Sequence, residues 1–389
     1  MKFVGARLRQ ARVVRGLTAK ALAEAAEISP SVVSGYEQGN KAPSLETLDR
    51  LARLLEVPTQ MFFKKMPEAH AVHDVFYRSV SSATKTLRDA MDQRAAWMCE
   101  VFDFLEQHYN FSEINLPNLN LPDDITDDFI EEAANATRTQ WELGQDPIPN
   151  LTDVMETNGV TITKLSFDSD KMDGFSFWHR KNFPMVVIAD DKDSRSRSRF
   201  DLAHELGHLV LRHQREDNPD PDEVMRQERQ ANHFASAFLL PKDTISADLD
   251  ESLADSYRRS VLNTLWPLKL KWKTSFAAML YRAKGVGKIS PQQFQSGYVM
   301  LSQRGWRKNE PLEDELPEER PEVLRWCIEQ LVDSGDYSAR EILEELALPP
   351  KDVTEICGLP GNYFTEKLDA RRMIKVKKQI GRASCRERV

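Results

Sequence analysis

Cysteine is scarce: Cys99, Cys327, Cys357 and Cys385 are the only four in 389 residues, far apart and with no CxxC pair. That excludes a thiolate metal cage and a disulfide framework, and it suits a reducing, cytoplasmic compartment. No apolar run approaches the roughly 18–20 residues that span a bilayer. The opening MKFVGARLRQARVVRG scatters its arginines among apolar positions, so it lacks the separate basic, apolar and cleavage regions of a signal peptide. The 16 glycines never gather into a phosphate-cradling loop. What remains is a chain with 41% hydrophobic and 29% charged residues, long enough for two or three domains and with no membrane partner.

The net charge of −8 conceals a division: residues 1–66 sum to +5 and the remainder to −13. Only the N-terminal part is suited to approach phosphate. The final IGRASCRERV, 380–389, looks like the translation of a sequencing adapter, so neither structure nor function is expected of it.

The apolar periodicity predicts a mainly α chain with a small β-sheet. Five short helices are expected in 3–62, with Thr18, Ser29 and Ser44 as caps, Pro30 at a first helical position and Gly16 and Gly39 as stops. Leu45, Leu48 and Leu51 read as core. An amphipathic helix over 84–109 carries Leu87, Met91, Met98, Val101, Phe102 and Leu105, and a Pro- and Asn-rich linker follows at 110–128. Strands concentrate in 160–190, where GFSFWHR and PMVVIAD flank a turn. Two helices, 196–213 and about 223–240, come next, and everything beyond 250 reads helical. The expected domains are 1–66, a connecting helix and linker at 67–127, an α+β domain at 128–245 and a C-terminal helical region at 246–379.

The stretch RFDLAHELGHLVLRH places His204, Glu205 and His208 inside an apolar helix. A helix advances about 100° per residue, so His208 lies about 40° from His204, one turn along, and both rings can grip one ion. Glu205 sits about 100° away, placed for water rather than for the metal. Zinc needs a third protein ligand, and QERQANHFASAFLLP supplies Glu228 on one face with Ala231, Asn232 and Ala235. Glu223 and Asp222 compete for that role. His213, about 180° round from His204, is expected at the helix C-terminus, and His233 should face away from Glu228. His70, His73, His108 and His179 read as structural or exposed. No oxyanion donor is legible; Arg282, Tyr281 and His179 are the nearest guesses.

These two stretches resemble the ImmA/IrrE family of zinc metallopeptidases, whose pattern is HExxH followed by ExxAN and a closing Leu-Pro. The resemblance spans roughly 70–375 and implies a zincin-like, gluzincin-type fold with Zn2+ on His204, His208 and Glu228. It also implies that Glu205 is the general base and that the substrate is a protein, a helix-turn-helix repressor. Gln230 departs from the family, where a second acidic residue often precedes the alanine. A strand from GFSFWHR or PMVVIAD could hold substrate by edge pairing.

The segment LTAKALAEAAEISPSVVSGYEQGNKAPS resembles the helix-turn-helix of Cro/CI (XRE) regulators. The resemblance implies double-stranded operator DNA as partner, with Ser31, Val32 and Ser34 toward base edges and Lys20, Asn40 and Lys41 toward phosphates. Ala19 stands where members commonly have Gln, and Gly35 where Arg or Lys is common. Tandem half-sites would call for a homodimer. Two functions are thereby expected: a DNA-binding regulator with a zinc-dependent endopeptidase domain, or a transcription factor whose zincin fold senses a ligand or partner without proteolysis. Glu205 favours the first, because a sensor has little need of a base between two ligands.

Overall fold

The computed structural model describes residues 2–67, 76–77, 84–167, 172–190, 194–213, 220–254, 260–307 and 309–367. The expectations for His70, His73 and the 380–389 tail lie outside them. Two compact units form, and neither is continuous in sequence: 1–71, 83–110 and 322–389 make one, 72–82 and 111–321 the other. No helix among the described residues is long and apolar enough to cross a membrane.

The first unit opens with α1 (Gly5–Val14), α2 (Ala19–Ala25), α3 (Pro30–Glu37) and α4 (Leu45–Leu54), closed by a short 3-10 turn at Thr59–Phe63. Thr18 and Ser44 cap α2 and α4, accepting from Ala21 N at 3.0 Å and Thr47 N at 3.2 Å. Ser29 begins α3 without such a bond; its hydroxyl lies 2.9 Å from that of Ser31. Leu8, Leu22, Val33, Leu48, Leu51, Leu55, Met61 and Phe62 fill the core. Each such leucine or phenylalanine contributes about 1.5–3 kcal/mol. Leu45 breaks the expectation at 79% exposed, because it is the first residue of α4, at the open entry of the helix beside its cap. Helices α1 and α3 approach so closely that a Cβ on Gly5 would fall 2.0 Å from the Tyr36 carbonyl oxygen.

Helix α5 (Lys85–Glu106) buries the expected Met91, Met98, Val101, Phe102 and Leu105, but also Ala95, Trp97, Cys99 and Phe104. It is enclosed rather than one-sided, because α1 packs on it together with helices Val323–Asp333 and Ala339–Leu346. Arg7 forks onto Glu100 of α5 at 2.5 and 2.9 Å, both side chains buried. Arg15 pairs with Asp352 at 2.8 Å and Arg94 with Glu355 at 2.9 Å. The boundary expected at 66 therefore crosses a buried ion pair, and the helical region expected at 246–379 is shared between the units. Packing sorts segments by the apolar surface they cover, not by their neighbours in the chain.

The second unit holds a sheet in the order β1-β3-β4-β2. Its strands are β1 (Phe76–Tyr77), β2 (Thr161–Leu165), β3 (Gly174–His179) and β4 (Phe183–Ala189). The expected hairpin is β3–β4, turned by Arg180 and Lys181 with φ of 49° and 63°. The parallel pairing of β2 with β4 is not written in the local pattern, and it makes β4 an interior strand. Around the sheet lie α6 (Asp127–Gln140), α7 (Leu151–Thr157), α8 (Arg195–Val210) and α9 (Pro221–Leu239). Leu202, Leu206, Phe234, Phe238 and Trp272 belong to one core. The segment expected as a linker is bound to this unit: Asn115 N donates to Asn158 O at 3.1 Å and Trp141 Nε1 to Asn115 O at 2.5 Å. The stretch from 261 to 285 is helical as expected, in three pieces. Lys273 at φ 53° and the Ser275 cap interrupt it.

Candidate metal centre and recognition helix

Helix α8 runs between the β3–β4 face and α9, so its apolar residues enter the core on every side. Buried with them are His204 and Glu205, both 0% exposed, and His208 at 1%. Gly207, between the motif histidines and their neighbours, admits α9: a Cβ there would meet Phe234 Cδ1 at 3.1 Å and Ala231 Cα at 3.2 Å. That approach carries Glu228 to the histidines. His204 Nε2 stands 3.4 Å from Glu228 Oε2, His208 Nε2 stands 3.5 Å from Oε1, and the two Nε2 atoms are 3.0 Å apart. Among the described residues these three form the one His/Cys/Asp/Glu group close enough to hold a metal ion.

The donor set fits zinc. Tetrahedral bonds of about 2.0–2.1 Å place ligand atoms about 3.3 Å apart, close to the observed separations. Chemistry adds a second test: His204 Nδ1 lies 3.1 Å from Asn232 Oδ1, an atom that can only accept. His204 therefore carries its proton on Nδ1 and turns a lone pair on Nε2 inward, as a ligand must. The competitors are elsewhere. Glu223 receives Gln227 Nε2 at 2.9 Å and pairs with Arg226 near the start of α9, where Asp222 also lies.

Glu205 receives the hydroxyl of Ser176, on β3, at 2.7 Å. This contact was not legible, since nothing local couples a strand serine to a helix 29 residues on. His213 lies at the helix C-terminus as expected, but turns to the side of His208 rather than the opposite one. The helix ends at Val210 and Arg212 adopts φ 50°, so the helical angle no longer applies beyond it. The chain doubles back, and His213 Nδ1 meets His208 Nδ1 at 2.9 Å while its Nε2 meets Gln230 Oε1 at 3.1 Å. Burial, and then the neighbouring His208, push its pKa down to about 3, so the ring is neutral.

His233 faces α6 and meets Glu131 at 2.9 Å. None of the three oxyanion guesses has the contacts of one. Arg282 is spent on Glu131 and the Leu240 carbonyl, Tyr281 packs in an exposed aromatic cluster with Phe294 and Tyr298, and His179 receives Arg180 Nε at 3.0 Å. A cavity of about 340 Å³ lies away from the histidine pair, lined by Lys164, Ser198, Arg199, Lys273 and Glu319 among others. Its Arg199 is already paired with Glu319.

In the other unit, α2 and α3 form the expected pair of helices. Val33 points into the core while Ser31 is exposed and Val32 and Ser34 are half-buried. Lys20, Asn40 and Lys41 are exposed. Arg12 clamps Glu37 at 2.5 and 2.9 Å, fixing α3 against α1. A Cβ at Gly35 would have only Lys41 Cδ near it, at 4.0 Å.

With this geometry in view, comparison with known families is specific. Residues 155–284 match the IrrE N-terminal-like domain, a metallopeptidase-type family, and residues 4–61 match a helix-turn-helix domain. These two similarities, to an IrrE-like domain and to a helix-turn-helix domain, are of the two kinds expected. No curated protein matches it.

Proposed function

We propose that this chain is a DNA-binding transcriptional regulator whose second unit is a zinc-dependent endopeptidase. The observation that carries this reading is the convergence of His204, His208 and Glu228 beside a buried Glu205. Zinc held by those three residues would supply Lewis acidity toward a peptide carbonyl and toward water. Glu205, oriented by the Ser176 hydroxyl, takes the proton of the attacking water and returns it to the leaving amine. The substrate strand is held on the β1 side of β3, where among the described residues β1 pairs just Phe175 and Ser176, leaving the rest of that side of β3 to it. Ser31, Val32 and Ser34 read bases while Lys20, Asn40 and Lys41 hold phosphates. The substrate is a helix-turn-helix repressor, cleaved to release genes of a mobile element, stress or defence programme.

The test pairs metal content with cleavage. Purified full-length chain should hold about one zinc and cut a repressor encoded by neighbouring genes. Glu205→Gln should keep the zinc and lose the cleavage. A Glu205→Gln variant that still cuts would refute the mechanism. A wild type that takes no zinc would leave the sensor reading.

A further inference from the structure

We propose that His213, backed by Gln230, is a positioning residue that locks His208 in the one tautomer able to bind metal. The inference rests on the metal reading above, but it concerns groups whose state can be measured without the ion.

The argument runs along a chain of four groups. It starts at the Ile125 carbonyl, which can only accept, and Gln230 Nε2 donates to it at 3.1 Å. That orients the amide, so Gln230 Oε1 is the atom facing His213 Nε2 at 3.1 Å. Oε1 also only accepts, so His213 must carry its proton on Nε2. A neutral imidazole then has a bare Nδ1, and this faces His208 Nδ1 at 2.9 Å. His208 must donate there. Its Nε2 is left with a lone pair directed at the place where His204 Nε2 and Glu228 converge.

Burial makes the chain binding rather than optional. His208 is 1% exposed, Gln230 3% and His213 6%, so water has little access to replace a link. The turn that brings His213 round is itself tied to His208, since His213 N donates to His208 O at 3.1 Å. With Asn232 fixing His204 in the same sense, both Nε2 atoms present lone pairs to each other at 3.0 Å. Two lone pairs repel at that distance unless a cation lies between them. The arrangement is built to receive one.

The device is uncharged, because an amide and a second imidazole stand where a carboxylate commonly backs a ligand histidine. Gln230, a departure from the family pattern, is therefore a working part of this site: its donor end reads a carbonyl and its acceptor end sets a ring.

The experiment uses the full-length, metal-free chain with 15N-labelled histidine. Long-range 1H–15N spectra should show His208 as a single Nδ1–H tautomer. His213→Phe should give mixed tautomers and, by chelator competition with Zn2+, bind zinc about 10–100-fold more weakly. His213→Gln, whose amide offers an acceptor and a donor in place of the ring nitrogens, should restore most of the affinity and the single tautomer. If His213→Phe fails to fold, Gln230→Leu reads the same chain one link further back. Unchanged tautomer and zinc affinity in a folded His213→Phe or Gln230→Leu variant would overturn the proposal. A wild type with the stated tautomer but no zinc affinity would sink the metal reading and leave the positioning chain standing.

Discussion

The candidate metal centre on α8 and α9 and the candidate recognition helix α3 are held by opposite means. His204, Glu205 and His208 are buried, and each is gripped from a different element: Asn232 on α9, Ser176 on β3, His213 beyond the end of α8. On α3 the outward residues are exposed or half-buried and their bonds are local, such as Gln38 to Ser34 at 3.3 Å and Asn40 to Gln38 at 3.0 Å. Only the inner face of α3 is fixed, by Val33 and the Arg12–Glu37 clamp. A small ion demands donor positions good to a fraction of an ångström, so the site is built in advance. A phosphate-lined groove tolerates mobile side chains that settle on contact.

That contrast can be broken at several points. The largest effect is expected from His208→Ala or Glu228→Ala, each of which should abolish stoichiometric zinc while leaving operator binding intact. Metal retained in either variant would show that the ligand set is wrong. Next comes the scaffold of the first unit. Arg7→Ala leaves buried Glu100 with Lys64 alone, 3.3 Å away, and should cost up to about 3–5 kcal/mol, lowering the melting temperature. A joint Arg7→Met, Glu100→Leu change should recover much of it. If Arg7→Ala melts like the wild type, the ion pair does not tie α1 to α5.

Acid offers a third test. Burial tends to raise the Glu131 pKa, but hydrogen bonds from Arg282 and His233 outweigh it and hold it at about 2, against an ordinary 4.5. The folded value is depressed, so the stabilisation is fully present above about pH 4.5 and is lost as pH falls toward 2. Glu131→Gln should therefore flatten the pH dependence of unfolding in that window by at most about 2–3 kcal/mol. An equally steep curve in the variant would remove Glu131 as the cause. The smallest effect is expected on α3. Gly35→Lys places a side chain in open space, improves the helix by about 1 kcal/mol and adds a cation. It should tighten operator binding and steepen its salt slope by about one. No change in the slope would mean that this face does not meet phosphate.

The HExxH spacing and Glu228 were legible because a helix repeats its geometry locally: positions four apart share a face wherever the helix occurs. The β3–β4 hairpin was legible too, from two alternating runs flanking a turn. Local geometry failed at His213, since extending the helical angle past Val210 assumed a helix that a positive φ at Arg212 had ended. It also missed Ser176, Gln230 and the parallel β2–β4 pair, whose partners lie far along the chain. Leu45 misled because an apolar residue at a helix entry keeps the periodicity without the burial.

Local order therefore marked the two domain types and the candidate ligand residues and base, through periodicities of one or two turns. Tertiary structure decided which polar partners His204, Glu205 and His208 meet, how β2 and β4 pair, and that residues 322–367 complete the first unit rather than the second. Most of those outcomes depend on contacts between groups tens to hundreds of residues apart. Such contacts form only when separate apolar faces close on one another and exclude water from the polar groups between them.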